Sequence, residues 1–204
     1  MIFCRFVYSD SSMFKAFEIY LKEKANLTAE ELDAVRAVSV EKKIRKRQYL
    51  LQEGNVCLHN CFIVKGCLRS YRVGKDGTEH ILRFGVENWW ISDHESYNTG
   101  KPSKGNIDAL ENSEVILIDK SAFVHLTMTI PKFKNFIDNL KARSFDAGQN
   151  RIMSNISYTA EERYEYFITS FPDIFYRVPL HMIASYLGVS RETLSRIRSH
   201  FSHK

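Results

Sequence analysis

The feature that most constrains this chain lies between residues 38 and 119, where short apolar runs are cut by turn residues. The runs are Tyr49-Leu-Leu51, Cys61-Phe-Ile-Val64, Leu68-Arg-Ser-Tyr-Arg-Val73, His80-Ile-Leu-Arg-Phe84, Ile107-Asp-Ala-Leu110 and Val115-Ile-Leu-Ile118. Between them sit Gly54, Gly66, Gly74-Lys-Asp-Gly77 and Gly100-Lys-Pro102. Runs this short, recurring roughly every 8–12 residues with a hairpin signal at Asp76-Gly77, specify an antiparallel sandwich or barrel. No strand–helix alternation occurs, so a doubly wound parallel sheet is not expected.

The flanks change period. Phe14, Phe17, Tyr20 and Leu21 recur at helical spacing within 13–37, and Thr28-Ala-Glu-Glu31 is a capping box ahead of Leu32 and Val35. Beyond residue 121 the pattern is helical again. Phe133, Phe136, Ile137, Leu140, Ser144 and Ala147 fall three and four apart and run on towards Ile152 and Ile156. Starting after Pro131, this predicts a helix of about 25 residues. Ser144 and Ala147 are small enough for close helix–helix approach, so the stripe fits a pairing surface; a helix packed on its own barrel fits the pattern equally well. Thr159-Ala-Glu-Glu162 caps a further helix.

The last segment is the most specific. In Pro179-Leu-His-Met-Ile-Ala-Ser-Tyr-Leu187, the proline suits a first helical position and Ile183, Ala184 and Leu187 form an inner face. Gly188 supplies a left-handed turn, Val189 plugs the angle and Ser190 caps a second helix. On that helix Leu194 and Ile197 face inward, leaving Arg191, Glu192, Ser195, Arg196 and Arg198 outside. This is the pattern of a helix-turn-helix whose second helix enters the DNA major groove. Arginine forks can hold guanine O6 and N7, and glutamate accepts from the cytosine amino group.

Charge agrees. The 204-residue chain carries a formal +5, and from Arg177 to Lys204 there are five cations (Arg177, Arg191, Arg196, Arg198, Lys204) and one acid, Glu192, with His181, His200 and His203 besides. A basic terminus of this kind suits a polyanion. No stretch approaches the roughly 18 apolar residues of a membrane span, Met1–Tyr8 lacks the length of a secretory signal, and four cysteines are too few for a disulfide scaffold. A cytoplasmic protein is expected. Met1 and Met13 both remain open as the start.

A β-roll, a long helix and a C-terminal helix-turn-helix together resemble the Crp–Fnr family of bacterial transcription regulators, over roughly residues 20–202. The most specific part, Gly188-Val-Ser-Arg-Glu-Thr-Leu-Ser-Arg196, is similar to the recognition helix of the cyclic-AMP receptor branch. The resemblance implies an α+β fold in three parts. These are an N-terminal double-stranded β-helix (jelly-roll, cyclic-nucleotide-binding-like) domain with leading helices over 1–130, a dimerisation helix over 131–156, and a winged helix-turn-helix over 157–204. It implies a homodimer on a pseudo-palindrome of GTGA-type half-sites, with Arg191, Glu192 and Arg196 on base edges and Ser190 and Thr193 on the phosphate side. RNA polymerase is a further candidate partner.

The effector region departs from that pattern. Cyclic-AMP binders of the family carry a Gly-Glu pair and, about ten residues on, an Arg-Ser pair. Alignment through Trp89-Trp-Ile91 places Ser92-Asp93 and Ser103-Lys104 there, so the candidate pocket is Trp90, Ser92, Asp93, Ser103 and Lys104, without the arginine. A guanidinium fork suits a phosphate in ways a lysine does not replace. No cofactor is therefore expected, and another small effector, or none, fits better than a cyclic nucleotide. Cys57, Cys61 and Cys67 raise iron–sulfur or redox chemistry, but their spacing reads as buried small apolar residues, and Cys4 alone does not make the N-terminal cluster of the oxygen-sensing branch. His59, His80, His94 and Glu95 invite a cupin-like metalloenzyme. No His-x-His is present, and an extended His94-Glu95 would point to opposite faces, so neither a metal nor an enzyme is expected. A β-roll sensor acting through protein contacts is the other alternative.

Overall fold

The computed structural model describes residues 12–202; Met1–Tyr8, Cys4, His203 and Lys204 lie outside the described residues. Helix α1 (Ser12–Ala25) stops at Asn26, whose φ is +50°, and α2 (Ala29–Ala37) opens with the expected capping box. The Thr28 N–H donates to the Glu31 carboxylate at 2.7 Å and the Glu31 N–H to Thr28 Oγ1 at 3.3 Å.

The roll follows as β1 (Ser39–Ile44), β2 (Tyr49–Leu51), β3 (His59–Lys65), β4 (Leu68–Val73), β5 (Glu79–Gly85), β6 (Trp90–Ile91), the short helix α3 (His94–Thr99), β7 (Asn106–Ala109) and β8 (Ser113–Asp119). They form two antiparallel four-stranded sheets, β1-β8-β3-β6 and β2-β7-β4-β5. Between them pack Ile44, Ile63, Leu68, Ile107, Val115 and Leu117. The other face of β8 is also covered, since Ile116 and Ile118 join Phe62, Phe17, Leu21 and Phe133 in a second cluster. Burial on both faces explains why β8 reads as a continuous apolar run rather than an alternating one. The β3–β4 turn requires glycine: Gly66 has φ +110°, and a Cβ there would lie 2.2 Å from Ser113 Oγ.

Two elements were not expected from the sequence. Strand β1, Ser-Val-Glu-Lys-Lys-Ile, buries little beyond Ile44 and therefore lacks an apolar signal. Residues 94–99 are helical rather than extended, because Asp93 accepts the Ser96 N–H at 3.1 Å and caps α3.

Helices α4 (Lys120–Thr129), α5 (Pro131–Ser157), α6 (Ala160–Ser170), α7 (Pro172–Arg177), α8 (Leu180–Leu187) and α9 (Arg191–Ser202) complete the chain. The 27-residue α5 matches the expected helix, but its apolar stripe is divided. Phe133, Phe136 and Ile137 are buried in the chain's own core beside α1 and α4, with Leu140 half-buried against them. They are not a pairing surface: an N-terminal half lying on the roll spends its apolar face there. Ser144 is half-buried and Ala147 exposed, and large apolar side chains emerge only further on, at Phe145, Ile152, Met153 and Ile156.

No strand follows β8 among the described residues, so the expected wing is absent from them and the C-terminal unit is helical. Pro172 at the first helical position sets α7 where a hairpin would otherwise run. A third cluster crosses from roll to C-terminal helices, with Tyr71, Ile81 and Phe84 packed among Phe167, Ile183 and Leu187.

Candidate nucleic-acid interface

The helix-turn-helix is built locally. Pro179 takes an extended conformation (ψ 140°) and caps α8 rather than opening it, one residue from its expected place. Gly188 has φ +69°, and the helix ends in a Schellman arrangement, with the Val189 N–H on the Ala184 carbonyl at 3.1 Å and the Gly188 N–H on that of Ser185 at 3.3 Å. Val189 lies half-buried in the angle, as a plug should. Ser190 caps α9: its Oγ accepts the Thr193 N–H at 3.1 Å and bonds the Thr193 hydroxyl at the same distance. Ile183, Ala184 and Leu187 of α8 face Leu194 and Ile197 of α9, all buried.

That packing fixes what α9 shows to solvent. Arg191, Glu192, Ser195, Arg196 and Ser199 line one continuous exposed surface. The Glu192 carboxyl is held below its usual range by its own backbone N–H and by the Ser190 hydroxyl, so it stands as an ionised acceptor at neutral pH. Ser199 belongs to this surface and was not expected. Arg198 is exposed as well, with its guanidinium over the Phe175 ring, 5.7 Å from the centroid.

The candidate effector residues do not converge on one cavity. Trp90 is packed into an aromatic cluster, with centroids 5.7 Å from Phe17, 5.4 Å from Phe62 and 5.9 Å from Phe123. Ser103 Oγ donates to Asp93 at 2.6 Å and accepts the Gly105 N–H at 3.1 Å. Burial pushes the Asp93 carboxyl up, but the Ser103 hydroxyl and the Ser96 and Glu95 N–H groups outweigh it and hold it below its usual range. Lys104 and Arg72 both pair with Glu95. Only Ser92 lines the neighbouring cavity of about 360 Å³, with Cys57, His59 and Cys61. With Asp93 bonded to Ser103 and the Lys104 and Arg72 cations paired to Glu95, the candidate residues form no phosphate clamp.

The described cysteines are packed in the roll. Cys57, Cys61 and Cys67 are free and buried. Burial pushes all three thiols up, Cys67 to about 12, as it does for cysteines packed as small apolar residues. Among the described residues no three His, Cys, Asp or Glu side chains are gathered to hold a metal, and no helix is long and apolar enough to cross a membrane.

The chain is similar to known proteins over most of its length. Residues 41–129 match the family described as Cyclic nucleotide-binding domain. Electron transport regulator A of Shewanella oneidensis is 27% identical, with 86% of this chain and 74% of that protein covered. The Fumarate and nitrate reduction regulatory protein of Yersinia pestis is 27% identical over the same shares. Among solved structures, FixK2 from Bradyrhizobium japonicum superposes with a TM-score of 0.71 at 19% identity, covering 81% of this chain and 85% of that one. A regulator assigned to the Crp–Fnr family from Eubacterium rectale gives 0.68 at 16% identity, covering 90% and 88%.

These findings support a regulator of the Crp–Fnr type. The chain shares its fold with those structures, and the relatives it matches are named as regulatory proteins.

Proposed function

We propose that this regulator binds DNA as a homodimer, reading a pseudo-palindromic operator with one α9 in each of two successive major grooves. The supporting observation is the single exposed face of Arg191, Glu192, Ser195, Arg196 and Ser199, held outward by the burial of Leu194 and Ile197. Arg191, Glu192 and Arg196 meet base edges of a GTGA-type half-site. Ser190 and Thr193, committed to the cap, sit with the α9 N-terminus on the phosphate side. Successive grooves on one side of the duplex are about 34 Å apart, which sets the separation of the two copies of α9.

The chain divides into a roll over 1–130, a dimerisation helix over 131–156 and a DNA-binding unit over 157–204. Pairing runs through the second half of α5, where Phe145, Ile152 and Ile156 recur seven and four residues apart and are 66%, 57% and 76% exposed. The protein acts in the cytoplasm, with RNA polymerase as its downstream partner. Any effector is a small molecule other than a cyclic nucleotide, since the Asp93–Ser103 bond and the Glu95 pairs leave no phosphate clamp.

Selection of bound duplexes from a random pool, at about 0.15 M salt where specific and non-specific binding separate, tests this. An inverted repeat enriched by the wild type and lost by Arg191→Ala/Arg196→Ala supports it. Enrichment of nothing, with or without added cell metabolites, overturns it.

A further inference from the structure

Strand β5 is the outer strand of its sheet, so one row of its backbone groups has no neighbouring strand. Such an edge needs a cover. Here the cover is the DNA-binding unit and the pairing helix together. Ser185 of α8 accepts the Ile81 N–H at 3.0 Å and donates to the Glu79 carbonyl at 2.8 Å, standing in for a strand partner.

Arg151 of α5 completes it. The pairing of β4 with β5 slips by one residue, since Ser70 faces Arg83 while Tyr71 faces Ile81, and Leu82 is the extra residue of a bulge. The Arg151 guanidinium donates to the Leu82 carbonyl, to that of Ile81 at 3.1 Å and to that of Tyr186 in α8 at 3.0 Å. It also lies 4.0 Å from the Tyr186 ring centroid, and that ring packs on Phe84 and Phe167, each 5.4 Å away. Among the described residues no carboxylate pairs with it. One planar fork therefore ties three parts of the molecule: the pairing helix, the roll edge and the first helix of the helix-turn-helix. Five donors in a fixed plane suit this, whereas a lysine offers a single point.

We propose that Arg151 is a positioning residue that sets the half-site spacing the dimer accepts. This rests on the DNA-binding reading above. Each α9 is carried by its α8, and each α8 is held to α5 through Arg151, so the fork defines where α9 stands relative to the dimer axis. Operator spacing mirrors that geometry.

The test uses the full chain and duplexes bearing the selected half-sites at the preferred separation and at one base pair more or less, a displacement of about 3.4 Å. The wild type should prefer its own spacing by about tenfold or more. Arg151→Gln should reduce that preference to about threefold or less while the ranking of bases within a half-site stays unchanged. Arg151→Lys should fall between, and Ser185→Ala, which removes the neighbouring tie, should shift the same way; it carries the test if Arg151→Gln does not fold. Equal weakening at every spacing, with the tenfold preference intact, overturns the assignment and makes Arg151 a stability residue. A wild type without half-site preference overturns the DNA reading itself, a different and distinguishable result.

Discussion

Ser103 donates a 2.6 Å hydrogen bond to Asp93, and each residue thereby satisfies the other in the segment from which the sequence would have built an effector pocket. Asp93 is also the cap of α3, so its carboxylate already serves two donors. A ligand hydroxyl or phosphate would have to break bonds that stabilise the segment.

Cyclic AMP at about 1 mM should therefore shift the thermal midpoint by less than about 1 °C. Binding at a hundred times the dissociation constant would add about 2.7 kcal/mol, which is several degrees for a chain of this size. A scanning fluorimetry shift of that size would contradict the Asp93–Ser103 account.

The division of α5 makes opposite predictions for its two halves. Phe133→Ala removes a fully buried ring and should cost about 3–5 kcal/mol in urea unfolding. Ile152→Glu/Ile156→Glu changes two exposed positions, and should turn a dimer into a folded monomer in sedimentation velocity at micromolar concentration. Dimers that survive the glutamates would move the pairing surface elsewhere.

At the seam between roll and C-terminal helices, Arg177 grips Glu87 with two bonds of 2.7 and 3.0 Å and also reaches Glu111, while Glu87 accepts the Gly66 N–H at 2.7 Å. Burial pushes the Glu87 carboxyl up, but Arg177 and Gly66 outweigh it and hold it below the usual range. A carboxyl so lowered adds stability above its unfolded value, about 4.3, and loses it as pH falls through the folded value. Glu87→Gln should thus cost about 1 kcal/mol at pH 7, a charge-assisted bond trimmed by partial exposure, and much less at pH 3.5. Denaturant unfolding at both values checks it; an equal gap would show that the loss is not electrostatic.

The helix-turn-helix was legible because its signals are local: Gly188 needs a left-handed turn, Ser190 caps three residues ahead, and Leu194 and Ile197 repeat at helical spacing. The α5 stripe was legible as a helix but not as a surface, since Phe133 against the chain's own core and Ile156 against another copy obey the same period. Arg198 is exposed as its spacing implies, but two residues turn a helix by about 200°, so it sits apart from Arg196 and over Phe175. One more turn of the Arg191–Ser195 repeat would have found Ser199. Arg151 left no trace, since its partners are backbone carbonyls that any residue could supply.

The claim that α9 reads base edges is tested most directly by titrating wild type and Arg196→Ala against the selected operator and against operators substituted at each position of a half-site. The account predicts that the variant loses about 1–3 kcal/mol on the operator and stops discriminating at one base pair, with the ranking elsewhere unchanged. Uniform weakening across all duplexes, accompanied by a salt slope lower by about one, would make Arg196 a phosphate contact and contradict the base-reading role.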